Sequence, residues 1–242
     1  MKIKIDRLYQ RYYLNKLGWI DGTTQFKRII ETRLSDELEI LDIGAGKNSV
    51  HNYKGLVKRV VGIDISEEVL TNPYLDEAYR CDITNMPFED NRFDLAYADY
   101  VFEHLSNPIK AAQEIYRVLK PNASLLIRTP NCWHYAIIVS RYTPHWLHIF
   151  LRKKLQNKIE GDTFRTYYHC NTQHRIKQDF EKAGFILEHL DMVEKEPSYL
   201  MKWGWTFILG LFYERLVNST RWLENFRANI FAVFRKAEKR TV

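Results

Sequence analysis

The sequence is short of cysteine, of long apolar runs and of internal repeats. Three cysteines, Cys81, Cys132 and Cys170, stand far apart among 242 residues, and none belongs to a Cys-x-x-Cys pair. An odd, scattered set excludes a zinc ribbon or a disulfide framework and reads as reduced thiols. The longest apolar stretch, Trp203 to Tyr213, is shorter than the ~20 residues that a membrane-spanning helix needs. The opening residues Met1–Asp6 carry charges throughout and no apolar segment of the signal-peptide kind. Together these absences predict a cytoplasmic protein. No low-complexity linker separates obvious halves.

What is present is a globular composition. Hydrophobic residues make up 45% and charged residues 27%, which excludes a disordered chain. A mean hydropathy of −0.41 argues against a multi-span membrane protein. The length suits one large domain, or a domain with inserts, and is ample for a core without staples. The net charge of +6 is unevenly placed. Residues 1–130 hold 18 basic and 19 acidic side chains, whereas residues 131–242 hold 18 basic and 11 acidic. A near-neutral scaffold followed by a basic region points to an anionic partner for the second half.

Apolar runs and helical stripes alternate along the chain, the pattern of an α/β domain with a mainly parallel sheet. Ile5, Leu8, Tyr9, Tyr12 and Leu17 predict a first helical stripe, and Thr24–Leu34 a second helix capped by Thr23. Strands are predicted at Glu39–Gly44, Arg59–Asp64, Ala78–Cys81, Phe93–Ala98, Ala123–Thr129 and Phe185–Met192. A helix is expected from Asn107 to Leu119, then a turn at Pro121-Asn122. Another helix is expected from an Asn171 N-cap to Ala183, stopping at Gly184. Residues Ala228–Arg235 read as a last buried strand in preference to a basic amphipathic helix, because β-branched and aromatic residues dominate the run.

This divides the chain into N-terminal helices (1–36), a core (37–130), a basic aromatic insert (131–170), a core continuation (171–195), an apolar helical insert (196–226) and a last strand with a tail (227–242). Both inserts leave the carboxyl ends of strands, where open α/β sheets bind ligands, so they are expected to form walls or a lid over the site. The first carries Arg141, Arg152, Lys153, Lys154, Lys158 and Arg165 against Glu160 and Asp162.

The motif that carries chemistry is Leu41-Asp42-Ile43-Gly44-Ala45-Gly46-Lys47-Asn48. A strand, an acid and then Gly-x-Gly allow close approach of backbone to a ligand. Asp64, eighteen residues past Gly46, ends the second strand, where a carboxylate can accept from both hydroxyls of an adenosine ribose. Asp82-Ile83 follows strand three, and Asp99-Tyr100 closes strand four on the same edge.

These residues resemble the class I S-adenosylmethionine-dependent methyltransferases, in the small-molecule branch of quinone- and sugar-pathway enzymes (methyltransferase type 11). The matching blocks are Ile40–Gly46, Val61–Ser66, Cys81–Phe88, Phe93-Asp-Leu95, Phe102–Leu105, Glu114–Pro121 and Arg128–Asn131. They cover residues 38–131, with residues 171–192 following more loosely. The resemblance implies a Rossmann-like seven-stranded, mostly parallel sheet flanked by helices, with S-adenosyl-L-methionine as cofactor. It implies that Asp42, Gly44, Ala45 and Gly46 line the methionine part and that Asp64 with Ile65 holds the ribose. Asp82 and Ile83 would bracket the adenine, and Asp99 would lie near the amino-acid group. The third glycine of the family's Gly-x-Gly-x-Gly is Asn48 here, and Asn tolerates left-handed backbone.

The sulfonium methyl is already activated, so catalysis requires mainly in-line alignment, with a general base where the acceptor is a hydroxyl. His104 and His134 are the candidate bases, ahead of His169 and His174. Tyr100, Asn131, Tyr167, Tyr168 and Asn171 are candidate acceptor ligands, although the tyrosines are equally suited to packing an insert. Glu103 and His104 are adjacent and cannot face one another, so no metal is expected.

Trp133–Leu151 and Trp203–Tyr213, with cations at their borders, suit seating at a membrane surface as a peripheral protein of its inner face. Covering the sheet is the competing use. The resemblance of Arg128–Tyr135 and Thr163–Thr172 to polysaccharide-pathway methyltransferases points to a small or lipid-linked anionic acceptor. A quinone or lipid acceptor, a non-catalytic cofactor-binding scaffold and a dinucleotide-dependent oxidoreductase stay open. Nucleic acid ranks below these, since no Asn-Pro-Pro-Tyr motif and no appended RNA-binding module is present.

Overall fold

Runs of Val, Ile, Leu and aromatic residues become the strands of one seven-stranded sheet. They are β1 (Glu39–Ile43), β2 (Arg59–Asp64), β3 (Glu77–Arg80), β4 (Phe93–Asp99), β5 (Leu119–Pro130), β6 (Phe185–Val193) and β7 (Asn229–Lys236), in spatial order β3-β2-β1-β4-β5-β7-β6. The pairings β1–β2, β1–β4, β2–β3 and β4–β5 are parallel. Ile40, Leu41, Ile43, Val61, Leu95, Ala96 and Ala98 are all buried, as expected of strands covered on both faces. The order reverses between β1 and β4, and in open parallel sheets the crevice at that switch point receives the ligand. The computed structural model describes residues 2–142 and 164–238. Arg152, Lys153, Lys154, Lys158, Glu160 and Asp162 of the first insert lie outside them.

The chain divides into two units, one of residues 26–130, 165–191 and 230–242, the other of residues 1–25, 131–164 and 192–229. In the sheet unit, α3 (Pro108–Val118) buries Ala111, Ala112, Ile115 and Val118, and Asn107 caps it by accepting from Lys110 N at 3.1 Å. The helix α5 (Gln173–Lys182) is capped by Thr172, whose hydroxyl accepts from Arg175 N at 3.1 Å. The expected cap, Asn171, is one residue too early, because its side chain is drawn into a buried network described below. The expected turn at Pro121-Asn122 is an irregularity within β5. Asn122 takes φ 65° there, and the register with β4 shifts between Phe93 and Leu95. The C-terminal run is a strand, as its composition predicts, and Lys236 Nζ donates to Leu119 O at 2.6 Å.

In the second unit, α1 (Lys2–Tyr9) runs into a π-helical turn at Gln10–Leu14. Tyr13 is buried against Phe207 and Leu211, with Tyr12 packed beside them, while Leu17, expected on the stripe, lies in the turn past the helix end and is fully exposed. The helix α2 (Gly22–Glu31) begins in this unit, and Asp21 caps it in place of the expected Thr23. Its two carboxylate oxygens accept from Thr24 N at 2.9 Å and Thr24 Oγ1 at 2.7 Å. A shorter helix, α4, spans Tyr135–Tyr142, and the helix α6 spans Gly204–Ser219. The Tyr13 hydroxyl donates to Glu214 of α6 at 2.7 Å.

Glu194, just past β6, is also buried in this unit. It accepts from Ala228 N at 2.7 Å, and burial pushes its carboxyl up to about 8.

Two outcomes follow for stability. A Cβ on Gly210 would lie 2.5 Å from Pro197 Cβ and 3.2 Å from Leu200 Cβ. Gly210→Ala should therefore lower stability by about 1–3 kcal/mol from overpacking, although the same change at an open helical site gains ~1 kcal/mol. Urea denaturation measures the sign. For Glu194, a folded pKa raised above 4.5 means stability that is complete at low pH and lost as pH rises through about 8. Thermal midpoints should fall between roughly pH 4.5 and pH 8, and Glu194→Gln should flatten that slope.

Candidate cofactor site

The chain leaves β1 through Gly44 (φ 74°) and Gly46 (φ 53°), both left-handed. Gly44 N and Ala45 N donate to Ile63 O of β2 at 2.8 and 3.1 Å, which pulls the turn onto the neighbouring strand end. A Cβ on Gly44 would fall 2.3 Å from Val101 Cγ2, so both conformation and space demand glycine. Asn48 is not among the residues with positive φ, so the missing third glycine carries no backbone strain. Buried Asn72 holds the turn from below, its Nδ2 lying 3.2 Å from Ala45 O, 3.1 Å from Gly46 O and 3.0 Å from Ser49 Oγ. Nothing in the local sequence singled out Asn72. Its role needs the crossing of two loops.

Asp64 closes β2 half-buried. Its Oδ2 accepts from Gly46 N at 2.9 Å and its Oδ1 from Ser66 N at 2.8 Å. A carboxylate offers about four acceptor positions, so two remain for a diol. Beside it Ile65 is 55% exposed, an apolar surface of the kind a purine face covers. Asp82 is exposed at the next strand end, with Oδ1 accepting from Thr84 N at 2.7 Å. Ile83 is 6% exposed and packs inward, so Ile65 carries the open apolar surface here. Asp42 lies beneath the turn, where burial raises its carboxyl to about 6 and the Ser49 and Tyr97 hydroxyls pull the other way. The open glycine turn, the spare acceptor positions on Asp64 and the exposed Ile65 fit an adenosine-bearing cofactor.

Asp99 is more enclosed than its position predicts. Arg128 Nε and Nη2 each donate to a carboxylate oxygen of Asp99 at 2.5 Å, and His51 Nε2 lies 3.2 Å from Oδ2. Its oxygens are engaged within the chain, so Asp99 anchors Arg128 rather than standing open at the edge. Tyr100, the next residue, sits at φ 59° with its N donating to Arg128 O at 2.8 Å and its ring 4.6 Å from the guanidinium carbon. A left-handed tyrosine is strained, and such strain gathers at functional sites.

Past β4 and β5, a second cluster forms. Thr129 Oγ1 donates to Glu103 Oε2 at 3.1 Å, and Asn171 Nδ2 donates to Thr129 Oγ1 at 2.7 Å and to Pro130 O at 2.9 Å. Burial pushes the Glu103 carboxyl up to about 7. Its backbone carbonyl accepts from Tyr167 N and Tyr168 N at 2.7 and 3.2 Å, which brings both tyrosines beside His104. Tyr168 is left-handed, at φ 55°. His104 is partly exposed, with Nδ1 3.1 Å from Arg165 O. A backbone carbonyl there fixes the proton on Nδ1 and makes Nε2 the basic nitrogen. Adjacency predicts that Glu103 and His104 face apart, yet His104 Nε2 lies 3.9 Å from Glu103 Oε1. The signal for Glu103 was an acid inside the apolar run Tyr100–Leu105.

Two expected site residues are spent elsewhere, both in the second unit. His134 is 1% exposed, packed by Tyr135, Tyr199 and Tyr213, with Nε2 3.5 Å from Glu194 Oε2. Burial lowers it to about 3, so it stays a neutral packed ring with no access to an acceptor. Asn131 is fully buried, and its Nδ2 donates to Asn225 O and Arg227 O, both at 2.7 Å. Its amide tethers chain segments and has no donor left for a ligand. Among the described residues no cluster of three His, Cys, Asp or Glu side chains could hold a metal ion.

Residues 41–127 match the family model described as a methyltransferase domain. The chain is similar to a demethylmenaquinone methyltransferase of Chlamydia trachomatis, 34% identical over 38% of this chain and 44% of that protein. It is also similar to a sterol 4-C-methyltransferase of Caenorhabditis elegans, 33% identical over 39% of this chain and 31% of that protein. The chain thus spans less than half the length of either curated relative. An S-adenosylmethionine-dependent methyltransferase structure from Methanosarcina mazei shares the fold, with a TM-score of 0.53 at 20% identity over 87% of this chain and 98% of that one. Over residues 41–127 the chain is thus similar to a methyltransferase domain, and its fold is that of the S-adenosylmethionine-dependent methyltransferase structures.

Proposed function

We propose that this protein transfers a methyl group from S-adenosylmethionine to a nucleophile on a small or lipid-linked acceptor, an intermediate of a sugar or polysaccharide pathway. The observation that carries the methyl-transfer reading is the strand-end carboxylate of Asp64, tied to Gly46 N yet retaining acceptor positions toward the open turn. When bound, the cofactor supplies a methyl on a positively charged sulfur, ready for in-line displacement. Asp64 would accept from the ribose hydroxyls, and Ile65 would cover one face of the adenine. The turn Gly44–Gly46 would let the methionine part approach the backbone.

The protein's own work is then alignment and proton handling. Oriented reactants gain most of the acceleration available to such a displacement. For a hydroxyl acceptor, His104 Nε2 is the group placed to take the proton, with Arg165 O holding the ring. Tyr100, beside Arg128, and Tyr167 and Tyr168, whose N–H groups donate to Glu103 O, are the candidate acceptor ligands.

The acceptor class rests on the resemblance of the segments around Arg128–Tyr135 and Thr163–Thr172, and on the basic second half of the chain. The names of the relatives support a second reading, a quinone or another membrane lipid as acceptor. A domain that binds the cofactor without transfer is a third reading, so catalysis needs its own test.

Two measurements decide these points. Asp64→Asn should weaken S-adenosylhomocysteine binding by calorimetry about 10–100-fold, the equivalent of losing one or two hydrogen bonds to a charged group. Wild-type affinity in that variant would remove Asp64 from the site. Transfer from radiolabelled S-adenosylmethionine into fractionated extract should place label in the glycan or lipid pool. Label in extractable quinone would favour the second reading, and label confined to RNA would sink both.

A further inference from the structure

The helix α6 turns the wrong residues outward for a helix in water. Its inward side carries Phe207, Leu211 and Val217, but also Thr206 and the acid Glu214. Glu214 is 3% exposed and accepts from Tyr13 Oη and from Asn218 Nδ2 at 3.2 Å. Its outward side carries Trp205, Ile208, Leu209, Phe212 and Leu216, with exposures of 69, 45, 56, 67 and 46%. The spacing i, i+3, i+4, i+7 and i+11 makes one continuous stripe. Arg221–Phe226 continues it, since Trp222 is 92% and Phe226 42% exposed, and Tyr213 Oη anchors this turn by donating to Phe226 O at 2.5 Å. Contiguous exposed apolar surface of this size marks something that covers it.

Charge says what. The cations bordering the stripe are Lys202, beneath which lies the Trp203 ring at 5.8 Å, then Arg215, whose Nη1 also lies 3.4 Å from Glu214 Oε1, and Arg221, against one partly buried acid, Glu224, in the turn that carries Trp222. The helix's one acid faces inward. Trp203 and Trp205 stack at 6.1 Å with their planes 4° apart at the start of the helix, an aromatic end of the kind found at the lipid headgroup level. A second copy of this face would set cation against cation, whereas an anionic surface pairs with them. At 16 residues α6 is too short to span, and among the described residues no helix is long and apolar enough to cross a membrane.

We propose that the outward face of α6, with Trp222 beside it, lies on an anionic phospholipid bilayer, parallel to its surface, with Lys202, Arg215 and Arg221 at the headgroups. This goes beyond the methyl-transfer reading and does not depend on it, because a soluble acceptor would leave the docking face intact.

The test is co-sedimentation of the full chain with vesicles of phosphatidylcholine alone and of phosphatidylcholine with phosphatidylglycerol. The expected result is binding to the anionic vesicles, weakened by salt. Trp205→Ser/Phe212→Ser should reduce it about tenfold or more, and Arg215→Gln/Arg221→Gln should erase the preference for anionic lipid. All four side chains are exposed, so circular dichroism and S-adenosylhomocysteine binding should stay at wild-type values. Those same readings separate this proposal from the previous one: lost cofactor binding bears on methyl transfer, lost vesicle binding on the docking face. Wild-type protein that ignores both vesicles overturns the proposal. So does a lipid-free dimer, seen by sedimentation velocity, that Trp205→Ser/Phe212→Ser dissolves.

Discussion

The pairing of Asp99 with Arg128 holds the business edge of the sheet together. Both side chains are at most 5% exposed, and the two hydrogen bonds join the last residue of β4 to the end of β5. His51 adds the loop that follows the glycine turn of β1. Three strand ends are thereby fixed by one ion cluster. The Arg128 guanidinium also lies over the rings of Tyr100 and Phe26, at 4.6 and 5.5 Å from guanidinium carbon to ring centroid. A charge this deep is tolerable only while paired, and removing one partner typically costs about 3–5 kcal/mol. The left-handed Tyr100 can persist because the structure on both sides of it is determined by this pair. The glycine turn at the end of β1 sits one strand away from it along the same edge, and Asp64 at the end of β2 two strands away.

That edge was legible in the sequence because strands ending in acids need no long-range information. β2 falls on its predicted bounds, and β1, β4 and β5 carry the predicted residues at their ends. The caps were less legible. Asp21 displaces Thr23 and Thr172 displaces Asn171, each within two residues of the expected cap. Competing oxygen acceptors at adjacent positions are ranked by where each side chain can also be used. Asn171 is buried with Thr129 and Pro130, and no local pattern announces that. Leu17 leaves the stripe because the helix ends at Leu14 and Leu17 lies in the turn that follows.

The site residues divide along the same line. Gly44, Gly46 and Asp64 are functional through backbone geometry and strand position, which periodicity encodes. Asn131 and His134 were chosen for their chemistry alone, and their burial is decided by segments distant in sequence, Asn225–Ala228 for one and Glu194 with Tyr199 and Tyr213 for the other. A histidine or an asparagine carries the same letter whether it faces a ligand or closes a core.

The charge asymmetry of the chain changes meaning for the same reason. Residues 131–242 contain 11 acids, but Asp179, Glu194 and Glu214 are each under 7% exposed. With its carboxyl raised to about 8, Glu194 is mostly protonated near neutral pH and contributes little negative field. Burial thus removes acid from the surface more than base, since Lys202, Arg215, Arg221 and Arg227 all keep some exposure. The described residues of this half hold 12 basic and 9 acidic side chains, and burial of three acids against only Lys236 leaves their surface more cationic than that count. On α6 the acid is inside, the arginine that reaches it at 3.4 Å stays half exposed, and large apolar side chains make up the outward face. Water is a poor solvent for that arrangement, and a surface that offers hydrocarbon under a layer of negative charge is a good one.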